Sequence, residues 1–551
     1  MTKRKAALDS VQQRAITELQ NYASWLTAGG LSVSANGFVE EIGWPGAQSQ
    51  AVKPADSPKW NAVGALYLPK LSSLGLGVMF WWTGVGDLAE WVLNLYAPAK
   101  QGGILGASGT TVQAQASTFE GYKSSGTAYR GVNIAPDMIS SSGGYWATGG
   151  PAPITAGGVF SNINPGVAGT DYWIPDSGSI AWLAGRGHKI LRLAICWEIL
   201  QPTFFAALNA AYLANIRKVI AAAHANGMVV DVTLFNGNGY YLASNTTAVS
   251  LNTVGYSNSW TAASSAALSD MWSRLSSALA GTPGLLAYNV LNEGHTQPEG
   301  TTTGLQLSPD SGFESDTVGH APPSYLTTNC SALVDNTYAH SGSNAVKLTV
   351  NTTGQCSFSG AEFAVTAGNN YIGQTWFYAD TASAMADSVV AISWYDSSHK
   401  FMSSVSGFNT NSALGYWLSG RVAAAAPTGA SYARISVYVY ASLTSSQHIW
   451  LDDMSAWQCS SILTGSQVWA NVSQAAINAI RTNDTTTEIW LNNYWGDPNW
   501  LDYYPSGPWA SDPANKLRYA FHHYWDHAVS SGGVYASTYA NELIADTSAG
   551  F

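Results

Sequence analysis

The chain has 551 residues, is 46% hydrophobic, and carries a formal net charge of −11 on only 10% charged residues. Its length allows two to four domains and a large core, and its shortage of basic side chains excludes a nucleic-acid partner, whose phosphates need a basic surface. With 23 Trp and 28 Tyr, and a surface left to Ser, Thr, Asn, Gly and Ala, the composition suits contact with neutral sugars, although most single aromatic rings serve a core.

Residues 10–29 read as an amphipathic helix. Ser10 is its expected cap, Gln13 holds the capping-box position, and Gly29–Gly30 end it. The stretch before it is charged and leads into this helix rather than into an apolar leader, so no signal peptide is read. No run is apolar enough to span a bilayer. Next come the strand GFVEEIG (37–43), a helix, and the strand LGVMFWWTG (76–84). Residues 100–128 have the aperiodic Gly/Ser/Thr/Gln/Ala composition of a linker.

Strands alternating with helices follow, at 129–135, 188–198, 227–235 and 285–293. These strands are continuous apolar runs, as expected where both faces of a parallel sheet are buried. Between about 305 and 462 the pattern changes to short strands with period-two alternation, which predicts an antiparallel β-sandwich. Helix–strand order resumes at 463 with strands at 488–496 and 517–526. Two parallel-type strands before the linker and six after it make eight, the number that closes a barrel.

The expected fold class is therefore α/β, a (β/α)8 barrel in five parts: 1–99, the linker 100–128, 129–304, the inserted sandwich 305–462, and 463–551. The chain starts with a helix leading into a strand and stops where a helix is due. Barrel termini lie close together, so a moved chain break costs little, and circular permutation is the expectation. A monomer is expected; a strand-swapped dimer satisfies the same pattern.

Of four cysteines, Cys196 lies in an apolar strand and reads as an inert thiol. Cys330, Cys356 and Cys459 share one segment, where one disulfide is possible. His522, His523 and His527 have a spacing that suggests metal, but beside aromatics they read better as hydrogen-bonded structure.

Two apolar runs end in a carboxylate beside glycine: FVEEIGWPG, with Glu40 and Glu41, and LLAYNVLNEGH, with Asn292 and Glu293. Adjacent strand residues point to opposite faces, so only one of Glu40 and Glu41 enters a shared site. The bland reading of that pair is a solvated strand end. Glu198, beside RLAICWE, reads as a structural hydrogen-bond partner.

Taken together, these motifs resemble glycoside hydrolase family 5, the cellulase-like retaining β-glycanases. RGVNIA (130–135) resembles its first strand, RLAICWEILQP (192–202) its second, LNEGH its Asn-Glu-Pro signature, and AFHHYWD (520–526) its sixth strand. FVEEIGWP resembles the nucleophile strand and FWWTG the eighth, which puts strands seven and eight at the N-terminus.

The resemblance implies Glu293 as acid/base and Glu41 as nucleophile. Arg192 would support the nucleophile, Asn292 would bond the substrate 2-OH, His522 and Tyr524 would orient the carboxyls, and Trp81 would be the sugar platform. Two carboxyls about 5–5.5 Å apart suit a retaining double displacement, and the acid would need its pKa raised by burial and by its partner's charge. Two departures stand out. Asn236 or Asn238 replaces a usual histidine on the third strand, and Gly294 replaces the signature proline, which should loosen the loop after Glu293.

The insert resembles a jelly-roll carbohydrate-binding module. Glu314 and Asp452 would then hold a structural calcium, and Trp376, Trp394 and Trp417 are candidate sugar stackers, with core the preferred role for at least two. No cofactor is expected for catalysis. The implied activity is an endo-acting β-glycanase on a polysaccharide, β-1,4-glucan first, with mannan or xylan behind, in an extracellular setting. The alternatives are a non-catalytic glycan binder or a phage-tail or adhesin component that degrades an envelope.

Overall fold

A computed structural model describes residues 2–43, 66–67, 70–71, 73–80, 130–134, 161–168, 171–172, 174–185, 188–235, 240, 242–243, 249–250, 260, 262–351, 354–380, 387–411, 416–443, 446–496 and 500–524. The linker 100–128, Trp81, Asn236, Asn238 and His527 lie outside the described residues, as do the side chains of Glu40, Glu41, His523 and Tyr524.

Eight strands close into a barrel in chain order: β1 (Gly37–Gly43), β2 (Gly77–Phe80), β3 (Arg130–Ile134), β4 (Ile190–Ile195), β5 (Val229–Leu234), β6 (Leu285–Asn289), β7 (Glu488–Asn492) and β8 (Leu517–Tyr524). Every neighbouring pair is parallel, including β8 with β1, which shuts the ring. Helices follow several strands, so the fold is α/β. The longer described ones are α1 (Thr2–Ala28), α2 (Ser177–Gly185), α3 (Ala210–Ala225), α4 (Ala262–Leu279) and α5 (Gly465–Arg481).

Helix α1 begins eight residues before the predicted cap, so Ser10 lies within it, and Gln13 bonds Thr17 instead of a cap. Good helix formers (Lys3, Arg4, Lys5, Ala6, Ala7 and Leu8) continue upstream without a breaker, and the helix runs on. Its C-terminal half seats on the barrel where β8 meets β1. Tyr22 donates to Tyr519 O and accepts from Phe38 N, while Trp25 donates to Tyr504 O at 3.0 Å. Helix α5 starts in a full capping box, with Thr464 and Gln467 bonding each other's backbone.

Inside the barrel, side chains stack in layers because residues two apart share a face. An apolar layer holds Phe38, Met79, Ile190, Ala287, Trp490 and Ala520. Two residues further along four of those strands, the buried residues are polar: Arg192, Asn289, Asn492 and His522. Asp231 and Thr233 on β5 join them. This switch from a dry floor to a polar mouth positions the site.

Between β6 and β7 the chain builds two mostly antiparallel sheets around a separate apolar core that includes Phe313, Phe358, Phe377, Trp394 and Leu451. The larger sheet also takes strands from the barrel's own loops. Glu299–Thr302 pairs with His448–Leu463, and Val249–Ser250 pairs with Tyr416–Ala425.

Both candidate calcium ligands are otherwise engaged. Glu314 accepts the backbone N–H groups of Ser343 and Asn344 at 2.9 and 3.0 Å. Asp452 accepts those of His340 and Ser341 at 2.8 and 3.1 Å. Among the described residues no group of three or more His, Cys, Asp or Glu side chains is arranged to hold a metal, and the two carboxylates brace the 340–344 turn. The three tryptophans are buried: Trp394 in the sandwich core, Trp376 and Trp417 in a cluster with Tyr378 and Trp450. None offers an open face for a sugar.

Candidate active site

Glu293 lies four residues beyond β6, at the polar end of the barrel, in a left-handed backbone conformation with φ 49°. A β-carbon disfavours that region, at a cost of order 1–3 kcal/mol that the surroundings must offset. Three contacts supply the restraint. Its N–H donates to Asn492 Oδ1 at 2.9 Å, its carbonyl oxygen lies 2.7 Å from His295 Nδ1, and its carboxylate Oε1 lies 2.7 Å from His522 Nδ1. The side chain keeps 23% exposure while His522 keeps 2%, so a buried imidazole holds a carboxyl that still reaches solvent.

Asn292 is fixed from the other side. Arg192 Nη2 donates to its Oδ1 at 2.7 Å, and its own N–H donates to Leu234 O at 2.8 Å. That contact determines which end of the amide is oxygen and turns the amide nitrogen away from Arg192. The guanidinium is buried, donates to Thr233 Oγ1 at 3.0 Å, and lies 3.7 Å from Asp231. The expected contact of Arg192 with Glu41 falls on a side chain outside the described residues.

The backbone of Glu41 is described, and it is informative. The β1–β8 ladder pairs Val39 with Phe521 and then Glu41 with His522, leaving Glu40 out at an irregularity. Such bulges re-aim strand ends beside active sites. Without it, strict alternation from the inward Phe38 would give the barrel-facing register to Glu40. With it, Glu41 takes the register position of His522, the residue whose ring meets Glu293.

Some contributors escaped the sequence reading. His295 stacks on Trp495 with centroids 3.5 Å apart and planes 8° apart, and burial drives its pKa down to about 4 against the upward pull of the Glu293 carbonyl and carboxylate. It is therefore neutral at ordinary pH. Trp495 also has a left-handed backbone, and its N–H donates to Gly294 O at 3.3 Å. Asn492 ends β7 and Asn493 follows it, both buried; that paired amide at a strand end was the available signal.

Gly294 does not loosen the loop. A β-carbon there would sit 2.3 Å from Trp469 Cζ2, so the glycine is what lets the indole pack under the turn. Glu198 is fully buried and accepts from Cys196 Sγ at 3.1 Å, a structural role.

The site thus presents one partly exposed carboxyl with its backbone clamped, an oriented amide beside it, and a second carboxylate residue on β1 in register with His522. This is a constellation for proton delivery to a bound polar substrate.

Residues 155–321 match the family model described as Cellulase (glycosyl hydrolase family 5). An endoglucanase of Neurospora crassa is 32% identical over 88 residues, which cover 16% of this chain and 23% of that protein. The chain thus spans about a quarter of the length of this curated relative. Among solved structures, an endoglucanase of Pseudomonas stutzeri is 15% identical with a TM-score of 0.32, covering 68% of this chain and 59% of that one. An endo-β-1,4-glucanase of Xanthomonas axonopodis pv. citri is 28% identical with a TM-score of 0.22, covering 30% and 42%. The family match spans 155–321, the part of the chain that carries Arg192, Asn292 and Glu293.

Proposed function

We propose that this chain is a retaining endo-β-glycosidase acting on a β-linked polysaccharide outside the cell, with β-1,4-glucan as the first substrate and mannan and xylan as alternatives. Glu293 protonates the leaving glycosidic oxygen while Glu41 attacks the anomeric carbon. Glu293 then takes a proton from the water that releases the glycosyl–enzyme ester. Asn292 bonds the sugar 2-OH, Tyr524 orients Glu41, and Trp81 and Asn236 contact substrate.

We read the chain order as a circular permutation. β1 and β2 act as strands seven and eight of the family's barrel, β3–β8 act as strands one to six, and the sandwich is a jelly-roll module inserted after strand four. The seating of α1 between β8 and β1 favours this reading, since that is where the helix after strand six belongs.

The observation that carries the proposal is the dual role of His522, whose ring meets Glu293 Oε1 and whose backbone is the ladder partner of Glu41. The test is reducing-sugar release from soluble β-1,4-glucan, mannan and xylan by wild type, Glu293→Gln and Glu41→Gln. Each substitution should lower turnover by at least about a thousandfold, with the fold intact by circular dichroism. A slow fluorinated glycoside should leave its sugar esterified to Glu41. Label on Glu40, an inverted anomeric product, or undiminished turnover in either variant would overturn the assignment.

A further inference from the structure

Two of the three cysteines of the sandwich stand where the chain passes from one sheet to the other. The strand Leu326–Thr328 belongs to the smaller sheet and pairs with Gly354–Ser359, Thr328 facing Ser357. At Asn329, in a left-handed conformation with φ 57°, the chain leaves that sheet. Cys330 then opens the strand Cys330–Asp335 of the larger sheet, paired with Val350. Cys356 remains in the smaller sheet, in register with Val439. The two cysteines therefore stand on either side of a sheet-to-sheet crossover.

The crossover itself is pinned next to Cys356. Asn329 Nδ2 donates to Gln355 O at 2.9 Å, and Cys330 Sγ donates to Ser357 O at 3.3 Å. Those acceptors are the carbonyls just before and just after Cys356. Both cysteines belong to the sandwich core, and both are buried. The remaining two are placed apart: Cys196 bonds Glu198 in the barrel, and Cys459 packs against Gly300.

We propose that Cys330 and Cys356 form a disulfide that staples the two sheets of the sandwich in an oxidising environment. With oxidised glutathione as oxidant, the Cys330 thiolate attacks one glutathione sulfur and expels the other glutathione as thiolate. The Cys356 thiolate then attacks the Cys330 sulfur of the mixed disulfide and expels the second glutathione. Two cysteine thiols are oxidised, one glutathione disulfide is reduced, and the two protons pass to the departing thiolates. The order of attack follows the local chemistry. The Cys356 thiol hydrogen-bonds Cys330 and draws its pKa down, while that contact and burial push Cys356 up.

The proposal does not depend on the glycosidase reading and is tested without an activity assay. The full chain is refolded from urea with oxidised and reduced glutathione, quenched with acid, and alkylated in denaturant. Cys196 and Cys459 should take label, and Cys330 and Cys356 should appear in one cross-linked pair of peptides. Cys356→Ser and Cys330→Ser should each abolish the cross-link, while Cys459→Ser retains it. Reduction should lower the melting temperature by about 5 °C or more in wild type and leave Cys356→Ser unchanged. Label on all four cysteines, a bridge that includes Cys459 or Cys196, or a stable glutathione adduct in place of the cross-link would overturn it.

Discussion

Glu293 and His295 form a unit in which one strained residue is held by one neutral ring. The imidazole stacks on Trp495 and meets the Glu293 carbonyl, and its burial favours the uncharged form. Its folded pKa of about 4 lies below the ordinary 6.5, so as pH falls the unfolded chain takes up the proton first. Stability from this group is constant above about pH 6.5 and is lost between there and pH 4, on the order of 3 kcal/mol in all. Urea midpoints at pH 7 and pH 4.5 should show this decline, and His295→Gln, which retains a donor without a titrating ring, should flatten it. An equal decline in the variant would assign the effect elsewhere. Gly294 gives a second test at this scale. Restoring the family's proline, or placing alanine there, should destabilise the chain by roughly 1–3 kcal/mol through overpacking on Trp469. Combining Gly294→Ala with Trp469→Leu should cost less than the two separate losses added together, measured as a double-mutant cycle.

At the scale of elements, two carboxylates brace the 340–344 turn by accepting its backbone N–H groups. Glu314→Ala should lower stability by about 1–3 kcal/mol by orphaning the Ser343 and Asn344 N–H groups. An unchanged urea midpoint in that variant would show that the turn holds its shape without the carboxylate. The same scale shows what a sequence can reveal. The barrel strands were legible because burial on both faces leaves an unbroken apolar run, and the sandwich because one-sided burial leaves alternation. Leu242–Ala243 and Val249–Ser250 were not legible: two residues carry no period, and their pairing is decided by the strand Tyr416–Ala425 far along the chain. In the site, Arg192, Asn292, Glu293 and His522 could be read because each ends or lines a strand in a motif. His295 and Trp495 could not, because their roles come from stacking and backbone contacts between segments about 200 residues apart.

At the scale of the whole molecule, the sandwich is built into the barrel and does not hang from it. Only six residues beyond Glu293, the chain enters the sandwich sheet as Glu299–Thr302. Gln297 donates to Ser419 O at 3.2 Å and accepts from Arg421 N, and the Arg421 guanidinium pairs with Glu299. On the same rim, the loop after the neighbouring parallel strand β5 adds Val249–Ser250 to the same sheet. Leu418 from the sandwich packs within the barrel's own core cluster. A module on a flexible linker contributes nothing to the geometry of the acid, and its removal leaves turnover of small soluble substrates untouched. Here removal unpairs a strand continuous with the Glu293 turn and strips Gln297 of two bonds. Replacing residues 303–462 with a short Gly/Ser link should therefore lower kcat/KM on a soluble oligosaccharide at least about tenfold, which corresponds to about 1.4 kcal/mol of lost transition-state stabilisation. Full-length protein should melt in one calorimetric transition, since two cores joined by shared strands and a shared apolar contact open together. Wild-type kcat/KM in the excised chain, or two well-separated transitions in the full one, would show that barrel and sandwich are independent units and that the Glu293 turn holds its shape alone.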